Sequence, residues 1–69
     1  MINIPAVPAT LTTCKPMAAR LHMIVTHQNT EDPVAACEHI TAGWAPIKAN
    51  DKAALVAYGA AVLAALKGE

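Results

Sequence analysis

The chain has 69 residues, of which 55% are hydrophobic, and its five Lys or Arg residues balance five Asp or Glu residues. This length allows one domain, which buries only about 60% of the surface of its unfolded chain. The balanced charge excludes nucleic acid as an expected partner, because binding to phosphates requires an excess of basic side chains. The two cysteines, Cys14 and Cys37, do not form a disulfide framework, and we interpret both as reduced thiols.

Residues 1–12 are predicted to form an extended arm. They carry no charge and contain Pro5 and Pro8, which forbid a helix, and the alternating Ile2 and Ile4. A signal peptide is not expected, because the basic n-region is missing, and the segment is shorter than the roughly 20 residues that span a bilayer. We therefore expect a cytoplasmic protein without a membrane partner. The arm is expected to lie on its own helices or on a neighbouring subunit, with a frayed terminus as the alternative.

The first helix is predicted from about residue 14 to residue 28. Thr12 and Thr13 precede it, and a threonine hydroxyl is a favourable cap for the free N–H groups at a helix start. Pro16 falls in the first turn, where proline loses no hydrogen bond. The apolar stripe of this helix consists of Met17, Leu21, Ile24 and, at its end, Gln28, and it is flanked by Met23 and Val25.

The second helix is predicted from about residue 31 to residue 42. Thr30 or Asp32 is expected to cap it, Pro33 suits its first turn, and Gly43 is expected to end it in a left-handed conformation. Its apolar stripe is continued by the only tryptophan of the chain, and consists of Val34, Cys37, Ile40, Thr41 and Trp44.

The third helix is predicted from about residue 51 to residue 67. Asn50 or Asp51 caps its start, and Gly68 follows its end. No window after the arm shows strand alternation, so the predicted fold class is all-α. We expect residues 13–69 to form a single domain, a small bundle of three short helices.

The third helix is apolar around its whole circumference, which is typical of a helix that is buried on every side. Its large side chains form one stripe, consisting of Leu55, Val62 and Leu66 with Val56 and Leu63 at one side. The remaining face consists of Ala53, Ala57, Ala60, Ala61, Ala64 and Tyr58. Small residues spaced by four let a second backbone come close, although alanine is also simply the best helix former. Because two short helices and an arm cannot cover both faces, we expect a C2 homodimer. The predicted dimer interface consists of Ala53, Ala57, Ala61 and Ala64.

The consecutive residues Cys37, Glu38 and His39 are the only cluster of reactive side chains. Neighbours on a helix point about 100° apart, so these three cannot converge on one atom. The sequence also lacks the cysteine and histidine spacings of zinc sites, and it shows no nucleophile paired with a base. We therefore predict no catalytic residue, no metal and no cofactor.

These patterns favour a small non-enzymatic interaction module, an adaptor or inhibitor of a larger protein, that acts as a homodimer. Tryptophan and arginine dominate the hot spots of interfaces. As an alternative, Trp44 is expected to be buried at the end of the helical core. The predicted partner-binding residues are Trp44, Ile47, Lys48, Arg20, Ile4 and Val7. The alternative function is an oligomeric protein that binds a nucleotide or metabolite between subunits. Its ligand would be held by Lys15, Arg20, His22 and His27.

Overall fold

The computed structural model describes residues 4–68, which form three α-helices and no strand. The helices are α1 (Lys15–Thr26), α2 (Pro33–Ala42) and α3 (Lys52–Leu66). The predicted all-α fold with three helices is therefore confirmed. Each helix is two or three residues shorter than predicted, because the predicted ranges included the cap residues and their neighbours.

The buried stripe of α1 differs from the predicted one. Its buried side chains are Ala18, Leu21 and Val25. Gln28 is exposed, and Met17 is only half-buried. Ala18 is fully buried although its side chain is small, so a pattern that counts only large apolar residues places the centre of the stripe at the neighbouring Met17.

The start of α1 is held by a residue that is distant in sequence. The predicted threonine cap is wrong: Cys14 takes the N-cap position and makes no side-chain capping bond. Instead, the backbone N–H groups of Thr12 and Cys14 donate to Oδ2 of Asp51 at 2.7 and 3.0 Å. Asp51 occupies the predicted N-cap position of α3, yet its side chain makes no capping bond to that helix. One carboxylate thus joins the starts of α1 and α3.

The start of α2 is capped as predicted, whereas its end differs from the prediction. Asp32 caps its start, where Oδ1 accepts the N–H of Ala35 at 3.1 Å. The left-handed end predicted at Gly43 is wrong, because Gly43 has φ −70° and a right-handed conformation. The chain continues in right-handed turns after α2, and these turns carry Trp44 inward.

Trp44 packs directly on the backbone of α3. It is only 6% exposed, and the residue opposite its ring is the buried Gly59. A Cβ added to Gly59 would lie 2.7 Å from Cζ3 of Trp44 and 2.9 Å from Cγ2 of Thr41, closer than carbon atoms approach one another. The indole can therefore reach this position only because residue 59 has no side chain.

The buried face of α3 consists of Leu55, Tyr58, Gly59, Val62 and Leu66. The predicted stripe of Leu55, Val62 and Leu66 is therefore confirmed. The predicted place of Tyr58 on the alanine face is wrong, because its side chain is only 4% exposed. Its hydroxyl donates to the carbonyl oxygen of Pro5 at 2.9 Å. Val56 lies on the outside and is 50% exposed.

The segment before α1 lies against the helices over the part that the structure describes. Residues 4–8 have no regular secondary structure, and Ile4 and Val7 are half-buried against the core. Leu11 is 2% exposed and belongs to the core itself. Residues 1–3, which include Ile2 of the predicted arm, lie outside the described residues.

The contact between Trp44 and Gly59 makes the substitution Gly59→Ala informative. An extra carbon in a packed core costs about 1 to 3 kcal/mol, whereas alanine exceeds glycine in helix propensity by about 1 kcal/mol. We expect a net loss of about 1 kcal/mol in the free energy of unfolding, measured by urea denaturation. In a Trp44→Leu background, Gly59→Ala should lower the free energy of unfolding by a smaller amount. The double-mutant cycle then gives the coupling energy between the two sites. A Gly59→Ala protein more stable than the wild type would contradict this packing.

Candidate functional site

One side of α3 is covered by no other part of the described chain. We call it the α3 outer face, and it consists of the exposed residues Ala53, Val56, Ala57, Ala60 and Ala61, with the half-buried Ala64 at its edge. No charged residue occurs in α3 after Lys52. Of the four residues predicted for the dimer interface, Ala53, Ala57 and Ala61 are exposed on this face and Ala64 borders it. A single chain therefore presents about three turns of uncharged helix to solvent.

A groove runs beside the α3 outer face. We call it the α2–α3 groove, and it encloses about 450 Å³. It is lined by Glu38, Thr41, Ala42, Trp44, Val56, Gly59, Ala60 and Leu63. Glu38 is its only charged residue, and the remaining lining is small or apolar. Because Val56 and Ala60 belong to both surfaces, the groove and the outer face form one continuous patch.

A second groove lies between α1, α2 and the loop after α2. We call it the Arg20 groove, and it encloses about 350 Å³. It is lined by Met17, Arg20, His39, Ile40, Gly43, Trp44 and Ile47. Three residues predicted to bind a partner, Arg20, Trp44 and Ile47, thus come together from two separate parts of the chain.

The other predicted partner-binding residues lie outside both grooves. Lys48 is exposed on the loop, whereas Ile4 and Val7 pack against the core. Trp44 is too deeply buried to project as an anchor, because its ring lies against Gly59. Its indole instead forms part of the wall of each groove.

Sequence reasoning missed four residues of the Arg20 groove, namely Met17, His39, Ile40 and Gly43. The spacing of Met17 and Arg20 by three places them on one side of α1, which was a usable local indication. Nothing local places His39 and Ile40 opposite them, because that juxtaposition depends on how α1 and α2 pack.

The residues proposed for a small-molecule site do not converge within one subunit. Lys15 and His27 are exposed and His22 is half-buried, and none of the three lines either groove. The Nδ1 atom of His27 accepts the N–H of Asn29 at 3.1 Å. Of this set only Arg20 faces a groove. The positive end of α1, where an anion would bind, already faces the carboxylate of Asp51.

The environment of Asp51 stabilises its charged form. Hydrogen bonds from the N–H groups of Cys14 and then Thr12 hold the pKa of the Asp51 carboxyl well below its ordinary value of 3.8. Its other oxygen, Oδ1, is buried and has no hydrogen-bond partner in residues 4–68. Asp51 therefore stays ionised at neutral pH and serves the fold through Oδ2.

Both thiols are buried and free. Burial raises the pKa of Cys14, and the neighbouring Asp51 adds to this effect. Burial also raises the pKa of Cys37, whose Sγ lies 3.9 Å from the carbonyl oxygen of Gly59. A raised thiol pKa disfavours the nucleophilic thiolate. Residues 4–68 contain no group of three or more His, Cys, Asp or Glu side chains placed to hold a metal ion.

Comparison of the chain with protein-family models, with curated proteins and with solved structures finds no match. None of the helices within residues 4–68 combines the length and the apolar character needed to span a membrane.

The lowered pKa of Asp51 predicts a specific acid dependence. Because the folded-state pKa lies below 3.8, the carboxylate stabilises the fold fully above that value and loses this effect as the pH falls below it. Asp51→Asn should therefore lower the Tm at pH 7, and the difference from the wild type should shrink below about pH 4. Circular dichroism melts between pH 7 and pH 2 measure both quantities. The exposed Glu31, changed to Gln, is the control, and an equal Tm difference for Asp51→Asn at every pH would contradict the assignment.

Proposed function

We propose that the protein is a small interaction module that forms a homodimer through α3 and acts as an adaptor or inhibitor of a larger protein in the cytoplasm, without catalysis of its own. The observation that carries this proposal is the α3 outer face, where five uncharged residues are exposed side by side. Burial of such a face against a second copy removes apolar surface from water, which is the main driving force of association. Small chains gain most stability from such association, since a single small chain buries little apolar surface in its own core.

The size of a stable interface indicates which residues join it. Specific complexes bury about 800 Å² on each partner. With 15 residues, α3 is about 22 Å long, and a row of alanines along it covers only part of that area. The proposed interface therefore includes the adjacent α2–α3 groove. Under two-fold symmetry, Val56 of each copy would enter the α2–α3 groove of the other copy. The same contact would therefore occur twice in the dimer.

The proposed dimer leaves a surface free for another protein. The Arg20 groove contains no residue of α3. A dimer joined through α3 would therefore carry two Arg20 grooves, one on each subunit, which is the arrangement of a bivalent adaptor.

The alternative, a nucleotide or metabolite bound between subunits, has less support. It requires a second chain to complete a site around Lys15, His22 and His27, which do not converge within one subunit. In addition, the amino end of α1 already faces the carboxylate of Asp51. A thermal-shift screen separates the two functions, because a ligand that binds only the folded state raises its Tm. A flat response across nucleotides and metabolites is expected under our proposal.

Charged substitutions on the α3 outer face should separate the subunits. We expect the wild type to scatter light as twice the 7.2 kDa of one chain, and Ala57→Glu or Ala60→Glu to scatter as one chain. A glutamate buried without a partner is costly, so the dimer dissociation constant should rise at least about tenfold. Size exclusion with multi-angle light scattering measures the mass.

The matched control is Ala19→Glu, which introduces the same charge at an exposed position of α1. This variant should remain dimeric. Helix content measured by circular dichroism should be equal in all three variants. A wild type that stays monomeric at high micromolar concentration would refute the dimer, and with it this mode of action.

A further inference from the structure

We propose that the Arg20 groove binds an acidic, aliphatic segment of a partner protein: an aliphatic side chain enters the groove and a flanking carboxylate pairs with Arg20 and His39. The inference rests on the proposed function as an interaction module and names the chemistry of the segment that the module recognises.

The walls of the groove suit one or two apolar side chains. Met17, Ile40 and Ile47 are half-buried, and the buried indole of Trp44 lies between them and the core. A volume of about 350 Å³ lies at the low end of the range for binding pockets, so it admits part of a peptide and not a folded element. Walls held by three separate elements are pre-organised, which lowers the cost of binding.

The Arg20 guanidinium at the rim favours an acidic segment. Arg20 and His39 are exposed side chains on α1 and α2, and no Asp or Glu lines the groove. Within residues 4–68 the exposed Arg20 guanidinium makes no hydrogen bond, so its donors are available for a bidentate carboxylate pair. The α2–α3 groove has the opposite character, because Glu38 is its only charged residue. An acidic segment is therefore attracted to one groove and repelled by the other.

A peptide fits these features better than a nucleic acid. The formal net charge of the chain is zero, and the groove provides one arginine beside a mostly apolar lining. Polyanions are bound through many phosphate contacts, which this rim does not offer. An aliphatic side chain next to a carboxylate uses both the walls and the rim.

The test uses blocked peptides that differ only in charge. Each has leucine at its centre, and the flanking residues are all glutamate, all glutamine or all lysine. Trp44 is the only tryptophan and lines the groove, so its fluorescence reports binding, with calorimetry as the second measurement. We expect the glutamate peptide to bind at least about tenfold more tightly than the lysine peptide, and its affinity to fall as salt is added.

Charge reversal at the rim provides the decisive variant. Arg20→Glu should weaken binding of the glutamate peptide at least about tenfold and favour the lysine peptide. Lys67→Glu is the matched control, since it makes the same charge change at an exposed residue that does not line the groove. Its affinity for the glutamate peptide should stay within about twofold of the wild type.

Two outcomes would overturn the inference: equal affinity for the glutamate and lysine peptides, or no heat and no fluorescence change with any of the three. These outcomes are distinguishable from failure of the proposed dimer. Arg20→Glu should leave the mass in light scattering unchanged, whereas Ala57→Glu should leave peptide affinity unchanged. A chain that dimerises without binding any peptide removes only this inference, and a monomer that binds the glutamate peptide removes only the dimer.

Discussion

The packing of Trp44 on the backbone of α3 is the contact on which the rest of the structure depends. It requires a glycine at position 59, since a Cβ there would lie 2.7 Å from the indole. It also requires the right-handed turns after α2, which direct the side chain inward. Because the same ring contributes to both grooves, the core and the two candidate surfaces share one contact. The packing of the core and the shape of both grooves therefore depend on this residue.

Two polar contacts complement this apolar core. Asp51 accepts hydrogen bonds from Thr12 and Cys14, and the Tyr58 hydroxyl donates to Pro5. Each contact joins α3 to the chain before α1, across more than 35 residues of sequence. Directional bonds of this kind favour one arrangement over others that bury similar apolar area. Together with the Trp44 contact, they make α3 the helix on which the other elements are positioned.

The surface of the folded chain divides into regions with different chemistry. The α3 outer face is uncharged, the α2–α3 groove carries a carboxylate, and the Arg20 groove carries a guanidinium and an imidazole. A chain of net charge zero can therefore still discriminate between partners, because the discrimination arises from local charge and not from a long-range field. This separation supports the proposal of a self-associating module that leaves a second site open.

Three helices and their approximate bounds were determined by the sequence itself, since proline in the first turn and the apolar period are local properties that act within a few residues. The stripe of Leu55, Val62 and Leu66 was determined in the same way. Tertiary structure alone decided that Tyr58 turns inward, that Asp51 accepts hydrogen bonds at the start of α1, and that Arg20 and Ile47 line one groove. Each of these depends on groups that are far apart in sequence and become neighbours only when the helices pack, so no local pattern contains them.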